Sequence, residues 1–398
     1  MESIDRLVRL ALLSWAYWTG HSTVVREVRE REEGFADELP PGLYDRLLQL
    51  AAGLYFPVSP DAWCKTDLFS EPWNDNIYSV LSKGLGCTPK PFWPDERPFA
   101  VVLSHDVDRI QGTYQTAMAA FRMRALLKAI CLLIRGLPLF PYRSETDPCR
   151  NLGRLLVQER RWDIQSVMFL LKERRRVKEL LRFRPQHFFG IYDPRDIQEE
   201  IQRMVEQGHE IGLHVSMDGF HSQEALSSEK AYIESLWHKR IAGARTHYLL
   251  FSEKTPELLM RAGFSYDASM GFNFHNGFRC GTAFPFVLWE EDSRILWELP
   301  LHLMDTALLW QVRSVEDLSH MEQIITPIFT QVKEKGGLLM VNWHQRHFNR
   351  ALNQTLYDML GELVLTSRRA GAWMTTPEAL MAWWTHERPH DTYNSTAS

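Results

Sequence analysis

Paired cysteine is what this chain most conspicuously lacks. Its five cysteines, Cys64, Cys87, Cys131, Cys149 and Cys280, are scattered, odd in number and contain no CxxC pair. That argues against a disulfide framework and fits a reducing compartment, so a cytoplasmic location is the expectation. A long apolar run is also missing. The nearest approach, Ala125 to Phe140, is broken by Lys128, Arg135 and Pro138, too short and too charged to span a bilayer. A buried helix is expected there, with peripheral contact at a membrane surface left open. The first residues do not follow the basic, apolar, small-residue order of a signal peptide. Instead Ile4, Leu7, Val8, Ala11, Leu12 and Trp15 recur at helical spacing, the pattern of a docked amphipathic helix. Excess positive charge is absent too: the formal net charge is −5 and no basic stripe carries interleaved aromatics, which speaks against nucleic-acid binding. The run Lys172 to Arg176, with Lys178, reads as a solvated helix face. No short-period repeat or low-complexity tract is visible.

What is present is an ordinary globular composition, 45% hydrophobic and 24% charged over 398 residues, room for one barrel-sized domain and a smaller one. The 14 tryptophans exceed what a chain of this length needs. Indole faces suit the apolar faces of sugar rings, although most tryptophans anchor cores and interfaces. Residues 1–93 read as a mainly helical region, including a helical segment from Leu43 to Leu54 after Pro40-Pro41-Gly42, and end in a proline-rich linker, Thr88 to Pro94. Trp63 and Trp73 in this region are candidate sugar contacts. Residues 94–385 alternate short β-rich runs with helical patterns. The runs are Phe99–Leu103, Ser166–Leu171, Glu210–Val215, Tyr248–Phe251 with the residues before it, Ile295–Leu301 and Leu338–Trp343. Helical patterns include Pro194–Gln207, closed by Gly208, Pro256–Gly263 and Val315–Gly336. Strand followed by helix, repeated, implies a parallel sheet with right-handed crossovers. A β/α barrel is the leading architecture and an open doubly wound sheet the second. Residues 386–398 read as a polar, disordered tail.

Polar residues collect where these runs end. Asp106 and Asp108 close the first, and alternation puts them on one side of the chain with Val107 on the other. Two neighbouring acids repel, so they share a proton or hold a cation between them. The plainer reading caps the next helix or pairs them with Arg109. Later runs lead to His214, Asp218 and His221; to Arg245 and His247; to Asp267 and Ser269; to His302 and Asp305; and to His344. A lone histidine at a strand end is usually structural. Repetition over several strands points to chemistry, because reactive side chains of β/α barrels gather at that end.

Five segments taken in order resemble the motifs of the polysaccharide deacetylase superfamily, the NodB homology domain grouped with carbohydrate esterase family 4. They are Ser104-His105-Asp106-Val107-Asp108, Gly208 to His214, Gly243 to Tyr248, Tyr266 to Phe272 and Leu339 to His344, and the resemblance runs from about Pro98 to Leu380. The continuations Gly277 to Thr282 and Leu299 to Asp305 are similar to a bacterial subgroup found near surface-polysaccharide genes. The resemblance implies an α/β fold: a distorted parallel (β/α) barrel of the NodB type beside the smaller helical region. It implies Asp106 as general base, Arg245 orienting it, His344 as catalytic acid and Asp267 tuning that histidine. It implies a divalent metal ion, Zn2+ foremost, held by Asp108 and His214. The activity implied is a metal-dependent hydrolase removing acetyl groups, N-acetyl foremost, from a saccharide or surface-polysaccharide intermediate. One departure stands out. The superfamily carries a second histidine four residues after the first, and here that position is Asp218. The expectation is that Asp218 completes the metal site, with His221 as rival and a degenerate site as the third option. A hydrolase of non-sugar C–N bonds and an inactive carbohydrate-binding or assembly protein are therefore the alternative functions. The oligomeric state is not readable from the sequence.

Overall fold

A computed structural model describes residues 2–21, 24–26, 28, 42–55, 71–110, 151–173, 192–292, 294–312, 318–348 and 354–387. The apolar tract 125–140, Trp63 and the tail from residue 388 fall outside them. No described helix is long and apolar enough to cross a membrane.

Among the described residues ten strands form one sheet: β1 (Ala100–Val107), β2 (Val167–Leu171), β3 (Glu210–Val215), β4 (Gly243–Thr246), β5 (Tyr266–Asp267), β6 (Phe286–Glu291), β7 (Arg294–Glu298), β8 (Leu303–Met304), β9 (Leu338–Asn342) and β10 (Trp373–Thr375). Their order is β6-β7-β5-β4-β3-β2-β1-β9-β8, with β10 on β1. Every pairing is parallel except the β6–β7 hairpin. The architecture is the distorted, incompletely closed (β/α) barrel expected, with β6 and β8 at the two ends of the strand path. β1 is its axis, buried along its whole length as a strand covered on both faces must be. Its first residues pair with β10 on one edge and its last with β2 on the same edge, while β9 runs along the other. The strand read as Phe99–Leu103 thus continues through the motif that follows it. The run placed at Tyr248–Phe251 lies further upstream, at β4, and Tyr248 itself sits in the turn after it.

Helices follow the strands. The segment 194–207 begins with a capping box at Asp193, in which the Asp193 side chain accepts from the Arg195 N–H and Asp196 answers to the Asp193 N–H. It ends where Gly208 adopts φ +80, a left-handed conformation that glycine reaches without strain.

The N-terminal helices Glu2–Thr19, Leu43–Tyr55 and Trp73–Gly84 cover the β6 end of the sheet. Their apolar faces join the same core as the barrel. Polar contacts fix the docking: the Ser14 hydroxyl accepts from the Val287 N–H at 3.0 Å, and the Tyr55 hydroxyl donates to the Val287 carbonyl at 2.7 Å. Trp73 lies over Gly281, where an added Cβ would meet the indole at 2.6 Å. Buried Asp75 accepts from the Thr282 hydroxyl at 2.5 Å and from the Ala283 N–H at 3.0 Å. Trp73 therefore serves this docking rather than standing free as a sugar platform, and none of these helices reaches the cluster of candidate metal ligands.

Burial pushes the Asp75 carboxyl up to about 7, against the two hydrogen bonds that lower it. A carboxyl raised on folding binds its proton more tightly in the native state, so its contribution to stability falls as pH rises from about 4 to 7. Asp75→Asn should therefore gain stability relative to wild type across that window, by on the order of a few kcal/mol. Urea denaturation at pH 5 and pH 8 measures it; a pH-independent difference between the two proteins would contradict the assignment.

Candidate active site

Parallel strands deliver their C-terminal ends to one rim, and β1, β3, β4 and β9 deliver the reactive residues. Ser104 and Asp106 face the site; His105 faces away, between the Trp343 carbonyl and Glu159 at 2.9 Å. Asp106 is buried and fully engaged. Arg245 Nη1 donates to it at 2.9 Å and Asn342 Nδ2 at 2.7 Å, while its own N–H donates to Asn342 Oδ1 at 3.2 Å. Burial alone would raise this carboxyl, but the Arg245 charge, with His214 and His344, holds it below the ordinary carboxylate range. Arg245 is completely buried. It also donates from Nη1 to Ser104 Oγ and from Nε to the Ala268 carbonyl, both at 2.8 Å, with its guanidinium over the Phe169 ring.

Asp108 lies just beyond the strand. One oxygen faces His214 Nε2 at 3.1 Å and His247 Nε2 at 3.9 Å; the other meets Arg346 Nη1 at 2.7 Å and His344 Nε2 at 3.5 Å. Burial opposes its charge, yet His214, His344 and Arg346 keep the carboxyl well below its usual value. Among the described residues, Asp108, His214 and His247 are the group whose ligand atoms converge, all within 4.8 Å of one another. A tetrahedral zinc ion with bonds of about 2.0–2.1 Å separates its ligand atoms by roughly 3.3 Å, so small adjustments would close the set. The donor chemistry fits as well. His214 Nδ1 lies 2.9 Å from the Arg245 carbonyl and must carry its proton there, which leaves Nε2 as the lone-pair donor. His247 is held neutral by burial, which pushes it down to about 3, and its Nδ1 is buried without a hydrogen-bond partner. Two imidazoles and a carboxylate are a usual set for a catalytic divalent ion.

The side chain that joins Asp108 and His214 in this group is His247; Asp218, expected there, is not among the three. The reason is register. His214 and Arg245 are partners across β3 and β4, so the residue two past Arg245 arrives beside His214, ring centroids 5.0 Å apart. Asp218 instead opens a short helix, Met217–His221, where its N–H donates to the capping Ser216 hydroxyl at 3.1 Å. His221, at the far end of that helix, is exposed.

The acid expected beside His344 was Asp267; the structure places Asp305 there. Asp305 Oδ1 faces His344 Nδ1 at 2.6 Å, and the His344 N–H donates to Asp305 Oδ2 at 2.7 Å. The same oxygen faces His347 Nδ1 at 2.6 Å. The Asp305 carboxyl is buried, and the two histidines hold it well below its usual value. β8 pairs with β9 through Leu303↔Val341 and Met304↔Asn342, which brings Asp305 to the end of the strand that carries His344. Asp267 belongs to β5, with four strands lying between it and β9 in the sheet order. It accepts from Ser269 Oγ at 2.7 Å and lies beside its register partner Glu298. Burial and the neighbouring Asp267 charge drive the Glu298 carboxyl well above its usual value. His302 is a core histidine, between the Thr282 carbonyl and the Met340 N–H, pushed down to about 4 by burial.

No family model matches the chain, and no curated protein matches it by sequence. Solved structures do. A protein described as a polysaccharide deacetylase from Pseudomonas aeruginosa PAO1 superposes with a TM-score of 0.50 at 17% identity, covering 77% of this chain and 98% of that one. PuuE allantoinase gives 0.49 at 16% identity over 75% and 94%. A protein described as a polysaccharide deacetylase from Mycobacterium smegmatis gives 0.47 at 18% identity over 72% and 90%. At these identities the likeness is one of fold.

Removing one imidazole from a three-ligand site costs most of its affinity. His247→Ala should lose tenfold or more in divalent-metal affinity, the lower end of what perturbing even supporting groups costs, while Asp218→Ala stays near wild type. Metal titration by calorimetry measures both; loss confined to Asp218→Ala would return the third position to the aspartate.

Proposed function

Because the chain has the fold of the polysaccharide deacetylases of the NodB homology superfamily, we propose that it is a metal-dependent hydrolase that removes acetyl groups, N-acetyl foremost, from a saccharide. The observation that carries this reading is that two polar units of different kind adjoin one cluster of ligand atoms. One is Asp106, kept anionic by Arg245; the other is His344, held by Asp305 and 3.5 Å from Asp108. Amide hydrolysis needs a group to take a proton from the attacking water and another to give one to the departing amine.

Asp106 suits the first task. Its anion is enforced by a guanidinium that cannot discharge, and the Asn342 amide fixes the plane of the carboxylate. His344 suits the second. Asp305 binds Nδ1–H, which fixes the tautomer and directs Nε2 towards Asp108 at 3.5 Å, where a leaving nitrogen would be met. Asp108, His214 and His247 would hold a divalent ion, Zn2+ first among the candidates. When bound, such an ion supplies Lewis acidity at the acyl oxygen and acidifies a water. The residues around it exclude bulk water: Asp106, His214, Arg245, Asp305 and His344 are all buried.

The test is acetate release from N-acetylated and O-acetylated saccharides by the metal-loaded protein, with a chelated control. Turnover with the ion and none without it is expected; release unaffected by chelation would contradict the proposal. Asp106→Asn should keep the metal and lose about 10²–10⁴ in kcat, the range for a positioned acid or base. Asp108→Asn should lose metal and turnover together. Asp305→Asn should lower kcat, whereas Asp267→Asn should move stability more than turnover. Near-wild-type acetate release by Asp106→Asn would remove it as the base.

A further inference from the structure

We propose that His105 and Glu159, a buried pair behind the site, are positioning residues that set the direction of His344. This rests on the reading of His344 as the acid of the hydrolysis and adds what aims it. Neither side chain has any exposure to water. His105 Nε2 meets Glu159 Oε1 at 2.9 Å, and Nδ1 faces the Trp343 carbonyl. A carbonyl only accepts, so Nδ1 carries a proton and donates it there. Glu159, on the helix Leu152–Trp162, also accepts from Ser166 Oγ at 3.0 Å, which holds the carboxyl group against the ring. The nearby His209 does not compete for it. His209 Nδ1 accepts from the Ser166 N–H at 3.1 Å, so a lone pair rather than a proton is turned to Glu159, 3.6 Å away.

The Trp343 carbonyl belongs to the peptide unit that ends in the His344 N–H, and that unit is flat. Its oxygen is held by His105 and its N–H donates to Asp305 Oδ2 at 2.7 Å, so one plane is gripped from both sides. The His344 ring extends from this plane, with Nδ1 on Asp305 Oδ1 at 2.6 Å. On the other flank, the Trp343 N–H donates to the Ser104 carbonyl at 2.9 Å. Successive residues of β1 therefore fix both sides of Trp343. The His105 ring also meets Phe348 edge-on, centroids 6.2 Å apart, beyond the turn Gln345–His347. His105 thus touches the start and the end of the segment that carries His344. Hydrogen bonds in such a chain polarise one another. Glu159 strengthens the grip of His105, and that grip on the carbonyl strengthens the N–H bond to Asp305. Without His105 a buried carbonyl loses this donor, the peptide can tilt, and Nε2 at the tip of the His344 ring moves furthest.

A neutron structure of the full chain should show a deuteron on His105 Nδ1 pointing at the Trp343 carbonyl; a bare nitrogen there overturns the proposal. His105→Phe keeps a ring and removes both donors, whereas His105→Asn leaves an amide nitrogen near the place of Nδ1. In acetate release by the zinc-loaded protein, His105→Phe should lower kcat by about tenfold to 10²-fold, the scale of an ångström of misplacement, with KM and zinc affinity near wild type. His105→Asn should recover part of that loss. Glu159→Gln, of nearly the same shape, should lower kcat less and with the same split, and it gives the answer should His105→Phe fail to fold. A wild-type kcat in the folded variants, or a loss shared by KM and zinc affinity, overturns the proposal. Crystal structures of the same variants read the position of His344 separately. A ring moved off Asp305, with no acetate released even by the wild type, would break the deacetylase reading and leave the positioning standing. An unmoved ring beside normal wild-type turnover would break the positioning alone.

Discussion

A guanidinium with no exposure to water must find its counter-charge inside the protein, and Arg245 finds it at Asp106, 2.9 Å away. Either ion alone would face a burial penalty of several kcal/mol, and removing one partner of such a pair typically costs about 3–5 kcal/mol. The pair does more than cancel. Arg245 reaches from β4 to Ser104 on β1 and to the Ala268 carbonyl after β5, while Phe169 of β2 lies beneath it. Asn342 ties the same carboxylate to β9. One ion pair therefore holds together the ends of four strands and the loop after a fifth, and the same contacts keep Asp106 charged in a dry environment. Fold and chemistry depend on one contact.

The other features follow from that arrangement. With Asp106 satisfied, Asp108 is the acid left to hold a cation, and the histidines of β3 and of the turn after β4 lie where they can share it. The stack of Tyr248 on His247 occurs in a stretch where Tyr248 and Leu249 both have positive φ, uncommon for non-glycine residues. Such backbone persists where surrounding contacts over-determine it, and functional sites are where it concentrates. At the β6 end of the sheet, helices Glu2–Thr19 and Leu43–Tyr55 supply the cover that full barrel closure would otherwise provide. Asp75 and Trp73 anchor the third helix on the loop 281–283.

Much of this was legible from residue order. The apolar run before Asp106 and the strand–helix repeat both survive in the structure because local periodicity decides them. β5 and β8, two residues each, are too short for any periodic signal. That hides which acid lies beside His344: both Asp267 and Asp305 stand at strand ends, and the β8–β9 register is what brings Asp305 there. His247 stood in the same list of strand-end residues, but that it meets His214 depends on which strands are neighbours. Spacing along the chain suggested Asp218 because four residues is one helical turn. The helix exists, yet its cap at Ser216 begins a turn whose acid lies outside the ligand cluster.

The most direct measurement is a crystal structure of the protein loaded with Zn2+, with anomalous differences collected at the zinc edge. The account predicts one strong peak about 2.0–2.2 Å from an Asp108 oxygen and from one ring nitrogen each of His214 and His247, with Asp106 still on Arg245. A peak on Asp218 or His221, or none at the three residues under saturating zinc, would contradict it.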